Sequence, residues 1–279
     1  MILDGKYIRD NILDELKEEI NNLNTDIKLV VVQIGNDDAS NVYVKQKMKM
    51  CEYVGYKFEH LKLSEDVNTD KVVDLINSLN NDTSVNGIMV QLPVPDNINK
   101  EIIINTISPS KDVDGLTNLN NGRLMSGDRG LFSCTAFGIM ELLNRYNISV
   151  SGKNVVIVNR SDLVGRPLSL MMLNNGATVS VCHSKTKNLT DYTKMADILI
   201  SAVGIPNFIT SDMISENVII IDVGISKIDN KIYGDVNYES VKDKVKYITP
   251  VPGGVGPMTV AILGDNLLKA YKMQMKNNI

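Results

Sequence analysis

Asn154-Val-Val-Ile-Val158-Asn159-Arg160-Ser161-Asp-Leu-Val-Gly165-Arg-Pro167 is the stretch that decides the fold. Its apolar run reads as a buried strand, and the pattern from Gly165 to Asn174 reads as a helix. Between them lies a turn of small and polar residues. A strand, such a turn and a helix start form a phosphate cradle in dinucleotide-binding sheets. Ser161 can donate a hydrogen bond there, and Gly165 permits close helix–strand packing. Asn159 tolerates a left-handed backbone better than most non-glycine residues. A full G-x-G-x-x-G is absent, so these residues alone also fit an ordinary strand–helix turn.

The surroundings extend the pattern. Downstream come a strand at Thr178–Cys182, a short helix at Asp191–Ala196, and strands at Ile198–Val203 and Val218–Val223. This alternation predicts a parallel, Rossmann-like sheet. Upstream, after an N-terminal helix over Gly5–Leu23, a second alternation runs through strand Lys28–Ile34, helix Ala39–Val54 and strand Phe58–Leu63. It continues through helix Thr69–Leu79 and strand Gly87–Leu92. That βαβαβ order also predicts a parallel sheet covered on both faces. A helix near Ala136–Tyr146 joins the halves. Another, from Pro257 to about Met273, is expected to return to the first half. The fold class is therefore α/β with two domains, residues 1–137 plus 258–279 and residues 138–257.

Composition narrows the class of function. A chain of 279 residues is long for one core and comfortable for two. Apolar residues at 43% and charged residues at 22% are ordinary for a globular protein. A net charge of −4 argues against nucleic acid as a partner. No apolar run approaches the ~20 residues of a membrane span, and charges at Asp4, Lys6, Arg9 and Asp10 sit where a signal peptide would be apolar. Cys51, Cys134 and Cys182 form no disulfide framework, and His60 and His183 are too few for a His/Cys metal site. The expectation is a cytoplasmic, reduced, metal-free protein that does not enter membranes.

The end of the second strand of the Rossmann-like half selects a cofactor. NAD sites usually place a carboxylate there for the ribose 2′-hydroxyl. Here the strand ends Cys182-His183-Ser184-Lys185. Groups that donate to an anion, with Arg160 in reach, favour a 2′-phosphate and hence NADP.

The first half carries acid–base groups. Tyr43 and Lys47 are four apart on one predicted helix and share a face. That spacing alone is usually an ordinary helix surface, and Lys45, Lys49 and Lys57 lie nearby. Gln91 ends an apolar strand, where parallel sheets place their sites. Asp112 and Asp114 occupy a turn-rich loop, in which one aspartate is often only a cap. Thr249-Pro-Val-Pro252-Gly253-Gly254-Val-Gly-Pro-Met-Thr259 mixes rigid prolines with glycines that let a ligand approach backbone.

These motifs together resemble the bifunctional methylenetetrahydrofolate dehydrogenase/methenyltetrahydrofolate cyclohydrolase family. The resemblance rests on Ser40-Asn-Val-Tyr43-Val-Lys-Gln-Lys47-Met-Lys49, Gly87-Ile-Met-Val-Gln-Leu-Pro93, Lys111-Asp-Val-Asp-Gly115 and Thr249–Val260, in order along nearly the whole chain. It implies a folate-binding catalytic domain at residues 1–137 plus 258–279, an NADP-binding domain at 138–257, a cleft between them and a homodimer. It implies oxidation of 5,10-methylenetetrahydrofolate with NADP, then hydrolysis of the methenyl product to 10-formyltetrahydrofolate. Lys47 would be the acid–base group, oriented by Gln91. Tyr43 would position the folate, and Asp114 would pair with the pterin edge. Val90, Leu92, Pro252, Gly253, Gly254 and Thr259 would complete the substrate contacts. Thr135, Asn159, Arg160, Ser161, Gly165, His183, Ser184 and Ile225 would hold the cofactor. The chain departs from the family pattern in two places. Asn159 stands where Val-Gly-Arg-Ser is usual, and Ser133-Cys134-Thr135-Ala136 where Pro-Cys-Thr-Pro is usual. Two rivals remain open: a cyclohydrolase with weakened hydride transfer, and a non-catalytic nucleotide- or folate-binding protein.

Overall fold

The computed structural model describes residues 1–23, 25–229 and 231–277. The chain divides into two compact units, one formed by Asp10–Cys134 with the chain from Val260 onward, the other by Met1–Arg9 with Thr135–Thr259.

In chain order the first stretch holds α1 (Gly5–Leu23), β1 (Lys28–Ile34), α2 (Asp38–Val54), β2 (Lys57–Leu63), α3 (Thr69–Asn81), β3 (Gly87–Val90), α4 (Lys100–Thr106) and α5 (Asn118–Ser126). β1 is central in a three-stranded parallel sheet of order β2-β1-β3. Six of the seven β1 residues are buried, as a strand covered on both faces requires. Val30, Val32 and Ile34 pack on one face against Val72 and Ile76 of α3 and Ile103 of α4. Local signals set the ends of α2. Asp37 accepts from Ser40 N at 2.7 Å, and Gly55 closes the helix in left-handed geometry at φ 99°.

The chain continues through α6 (Cys134–Arg145), β4 (Asn154–Val158), α7 (Gly165–Asn174), β5 (Thr178–Cys182), α8 (Leu189–Lys194), β6 (Ile198–Ser201) and β7 (Ile219–Asp222). A small hairpin of β8 (Ser226–Ile228) and β9 (Lys231–Tyr233), then α9 (Tyr238–Val241) and β10 (Tyr247–Ile248), complete the nucleotide unit. Its parallel sheet has the order β10-β7-β6-β4-β5. The first residues of the chain join this unit: Leu3 N donates to Ile248 O at 2.8 Å and Lys6 N to Gly253 O at 3.0 Å. Residues 1–9 thus sort with the nucleotide unit, although they precede the catalytic one in sequence.

The last helix, α10 (Val255–Asn277), starts two residues before Pro257. The proline lies in the first turn, where a missing N–H costs nothing. From Val260 onward α10 belongs to the catalytic unit. A Cβ on Gly87 would come within 2.6 Å of the side chains of Leu267 and Val113, so the glycine lets the Leu267 side chain of α10 pack directly on the β3 backbone. Tyr56 donates to Gly264 O at 2.9 Å on the same helix. Helices α4 and α5 and the β8–β9 hairpin lie outside the elements expected from sequence.

Candidate active site

In the catalytic unit the order of the sheet reverses at β1, which sends its chain to β2 on one side and receives β3 on the other. Ligands of such sheets gather beyond the carboxyl ends of the strands at that point. Gln91 follows β3 there, with its own N–H donating to Val32 O at 2.8 Å. Lys47 of α2 reaches the same place, and its Nζ donates to Gln91 Oε1 at 2.6 Å. The Gln91 amide group donates in turn to Leu92 O at 2.6 Å, which fixes which end of the side chain faces the lysine.

Lys47 is 8% exposed, whereas Lys45 and Lys49 on the same helix are exposed. Burial lowers its pKa from the ordinary lysine value, against the opposing pull of Asp114 and Cys134. Asp114 keeps part of its surface, but burial of its carboxyl pushes its pKa up to about 6, against the pull of Lys47. The Cys134 thiol, which donates to Val113 O at 3.4 Å, acts with Lys47 to hold that rise back. Tyr43 lies one turn before Lys47 and is 44% exposed, which leaves its ring open to a flat partner.

The loop that carries Asp114 is built by Asp112. Its carboxylate accepts from Gly115 N at 2.9 Å, Leu116 N at 3.1 Å, Thr117 N at 2.9 Å and Asn120 Nδ2 at 2.9 Å. Of the two aspartates, Asp112 is the turn cap and Asp114 the residue beside Lys47. Asn266 of α10 adds a second tie, donating to Val113 O at 2.9 Å and Phe132 O at 3.0 Å. Sequence reasoning passed over Asn266 and Cys134 as site neighbours. No local spacing relates either to residues 111–115.

In the nucleotide unit, Gly165 opens α7 directly against the end of β4. A Cβ there would lie 2.2 Å from Asn159 O, so only glycine lets helix and strand approach this closely. Asn159 is not among the non-glycine residues of left-handed backbone, which among the described residues of this unit are Asn147, Asn188, Asn207, Asn217 and Asp229. Its contribution is made by its side chain instead: Oδ1 accepts from Ser161 N at 2.7 Å and Gly165 N at 3.0 Å. Arg160 is exposed beside this turn. At the end of β5, His183 Nδ1 accepts from Lys185 N at 3.1 Å, which holds the ring beside exposed Ser184 and Lys185. A tight helix–strand approach, an exposed guanidinium and a carboxylate-free end to β5 fit a phosphorylated dinucleotide.

Thr135 is half-buried in the first turn of α6, and Ile225 is 48% exposed just after β7. Pro252, Gly253, Gly254 and Thr259 also fall in the nucleotide unit. Gly253 has φ 114°, and a Cβ on Gly254 would come within 2.7 Å of Pro250 O. Thr259 Oγ1 donates to Gly256 O at 2.7 Å.

Two family models match the chain. The tetrahydrofolate dehydrogenase/cyclohydrolase catalytic domain covers residues 3–114, and the NAD(P)-binding domain of the same enzymes covers residues 133–275. This chain belongs to the tetrahydrofolate dehydrogenase/cyclohydrolase family. As a member it is a bifunctional enzyme, a dehydrogenase and a cyclohydrolase, with an NAD(P)-binding domain. Bifunctional protein FolD of a Hydrogenobaculum species is 51% identical over 276 residues, spanning 98% of this chain and 99% of that one. The crystal structure of the bifunctional FolD enzyme from Campylobacter jejuni matches with a TM-score of 0.96 at 47% identity, covering 98% of this chain and 99% of that one. The Trypanosoma brucei enzyme, solved with NADP and an inhibitor, matches with a TM-score of 0.94 at 32% identity, covering 99% and 98%.

Within this family member, the structure brings Lys47, Gln91 and Asp114 together, with Tyr43 on the same helix face as Lys47. Val90 and Leu92 flank Gln91 at the strand end. Asn159, Ser161 and Gly165 form one turn, next to Arg160, and His183 and Ser184 form the end of β5. Among the described residues no group of three His, Cys, Asp or Glu is placed to hold a metal ion, and no helix is long and apolar enough to cross a membrane.

Proposed function

We propose that this enzyme oxidises 5,10-methylenetetrahydrofolate with NADP and hydrolyses the methenyl product to 10-formyltetrahydrofolate, with Lys47 as the acid–base group of the hydrolytic step. The observation that carries this reading is the buried Lys47 Nζ held at 2.6 Å by Gln91 Oε1 beside Asp114.

NADP, when bound, supplies the hydride acceptor for the first step. Arg160 and Ser184 would hold its 2′-phosphate and Ser161 a bridging phosphate. Thr135, His183 and Ile225 would line its path. The residues around Lys47 act on the folate. Water must attack the methenyl carbon, and the ring nitrogen must then gain a proton as the ring opens. A lysine can take a proton from water only while neutral. Burial already lowers the Lys47 pKa, and a bound methenyl cation lowers it further by like-charge repulsion. Gln91 accepts from Nζ and so aims its lone pair. The same ammonium, once formed, is placed to protonate the leaving nitrogen. Asp114 would accept two parallel hydrogen bonds from the amino-pyrimidine edge of the pterin, and the exposed Tyr43 ring would stack on the folate.

The decisive experiment follows absorbance during turnover of methylenetetrahydrofolate with NADP and, separately, with NAD, alongside hydrolysis of the methenyl compound. Both activities with a preference for NADP support the proposal. Hydrolysis without dinucleotide reduction would favour a cyclohydrolase alone. Neither activity would favour a binding protein. The homodimer and the cytoplasmic location are part of the same proposal; sedimentation at a monomer mass would remove the first and fractionation to membranes the second.

A further inference from the structure

In the nucleotide unit the chain passes from β4 to β5 on one side, then returns to lay β6 on the other side of β4. The loops that leave β4 and β6 therefore flank the point where strand order reverses, the crevice in which such sheets take their ligands. Asn159 stands at the start of the first loop and spans to the second, its Nδ2 donating to Ala202 O. Its Oδ1 faces the other way and takes the amides of Ser161 and Gly165.

Gly165 is the first residue of α7, and the residue before it, Val164, makes no side-chain cap. Asn159 caps the helix instead, from six residues upstream. The second loop is itself anchored. Asp235, 1% exposed, accepts from Val203 N at 2.7 Å and Ser201 Oγ at 2.8 Å on one oxygen, and from Ile205 N at 3.0 Å on the other. Asp222 holds the backbone on either side of that carboxylate's attachment, accepting from Asp235 N and Val236 N at 2.9 Å each. Gly224 has no room for a Cβ, which would fall 1.9 Å from Asp235 Oδ1. Ala202 O is therefore a fixed point, and a group tied to it is fixed too.

We propose that Asn159 is a positioning residue for the dinucleotide: its carboxamide locks the turn after β4 to the loop after β6 and holds the turn ready before the ligand binds. A glycine at this position leaves the turn without those three bonds. One consequence is chemical. The Ser161 and Gly165 amides already have an acceptor, so these two are not free for the phosphates of the dinucleotide, and Arg160 and the Ser161 hydroxyl are the side-chain donors nearest to hand. Ordering the turn in advance removes that cost from binding.

The test compares the intact enzyme with Asn159→Ala and Asn159→Asp. Amide hydrogen exchange is measured without ligand, and affinity for NADP and for NAD by titration calorimetry. In Asn159→Ala, protection of the Ser161 and Gly165 amides should fall about tenfold or more while Val155–Ile157 of β4 keep theirs. Affinity for both dinucleotides should fall about tenfold, and the dehydrogenase KM for the dinucleotide should rise more than kcat falls. Asn159→Asp keeps an acceptor for the two amides but loses the donor to Ala202 O, so it should keep more of their protection than Asn159→Ala does. Three results would overturn the proposal: unchanged exchange at the two amides in Asn159→Ala, tighter dinucleotide binding in that variant, or loss of protection in Asn159→Asp equal to that in Asn159→Ala. A general loss of protection reaching β4 would also overturn it, because the residue would then support the fold and not the turn. The exchange measurement involves no ligand, so its failure is separable from any failure of the NADP preference.

Discussion

Lys47 Nζ donates to Gln91 Oε1 at 2.6 Å, which joins a helix and a strand end across 44 residues of chain. The donor is buried and the acceptor is itself held by Leu92 O. If Lys47 moves the proton, Lys47→Met should lower methenyl hydrolysis by about 10²- to 10⁴-fold, the usual worth of a positioned acid–base group. Lys47→Arg should not rescue it, because guanidinium does not deprotonate near neutral pH. Hydrolysis near wild type in Lys47→Met would refute the role.

Gln91 is neutral, so it orients Lys47 without placing a full negative charge against it. Gln91→Glu would place a carboxylate at the same oxygen and favour the ammonium form. The pH at which hydrolysis reaches half its maximum should move upward, with a smaller loss at high pH than at neutral pH. A pH–rate profile of the variant checks this, and an unshifted profile would mean that the pair is not on the reaction path.

Asp114 has its pKa raised from 3.8 to about 6, chiefly by burial. Its carboxylate form is therefore lost as pH falls through about 6, and KM for the folate should rise over that range. The stability consequence has the opposite sense. Between about pH 4 and 6 the folded protein keeps a proton that the unfolded chain has released. This group's contribution is complete below pH ~4 and is lost as pH rises to about 6. Asp114→Asn should flatten that part of the stability profile, measured by chemical denaturation, while weakening folate binding chiefly above about pH 6, where the wild type holds the carboxylate.

Arg160 and Ser184 are the exposed donors beside the phosphate turn and after β5. Replacing both with alanine should reduce the ratio of NADP to NAD in kcat/KM about tenfold or more, given the strength of charge-assisted contacts to phosphate. Rates measured with both dinucleotides decide the point, and an unaltered ratio would place the 2′-phosphate elsewhere.

Asp112 accepts three backbone amides and Asn120 in a buried loop. Asp112→Ala would leave Leu116 N and Thr117 N without that acceptor, whereas Gly115 N keeps Asp112 O and Asn120 Nδ2 keeps Pro109 O. It should destabilise the catalytic unit by roughly 2 kcal/mol or more, since each unmet buried donor costs about 1–3 kcal/mol. Chemical denaturation would measure this, and a loss below about 1 kcal/mol would show that the loop is held mainly by Asn266.

The sequence by itself determined the two alternating stretches and hence two parallel sheets. It also placed α1, β1, β4, α7 and β5 at the bounds they have in the structure. These follow from apolar runs, caps and helical periods, which act between near neighbours. It also put Tyr43 and Lys47 on one helix face and identified the motifs by which the family is known. The short helices α4 and α5 carried no such period, and α5 depends on distant support, Asn118 N donating to Asn105 Oδ1 at 2.7 Å.

Only the tertiary structure decided among chemically equal candidates. Lys47 differs from Lys45 and Lys49 because β3 brings Gln91 against it and water is excluded from it alone. Asp114 differs from Asp112 because one meets a buried lysine and the other a set of backbone amides. Asn159 matters through Ala202, 43 residues away, and not through its own backbone angle. Desolvation and hydrogen-bond pairing are properties of the space around a side chain. That space is filled by segments far apart in the chain, so spacing along the sequence cannot rank residues of the same kind.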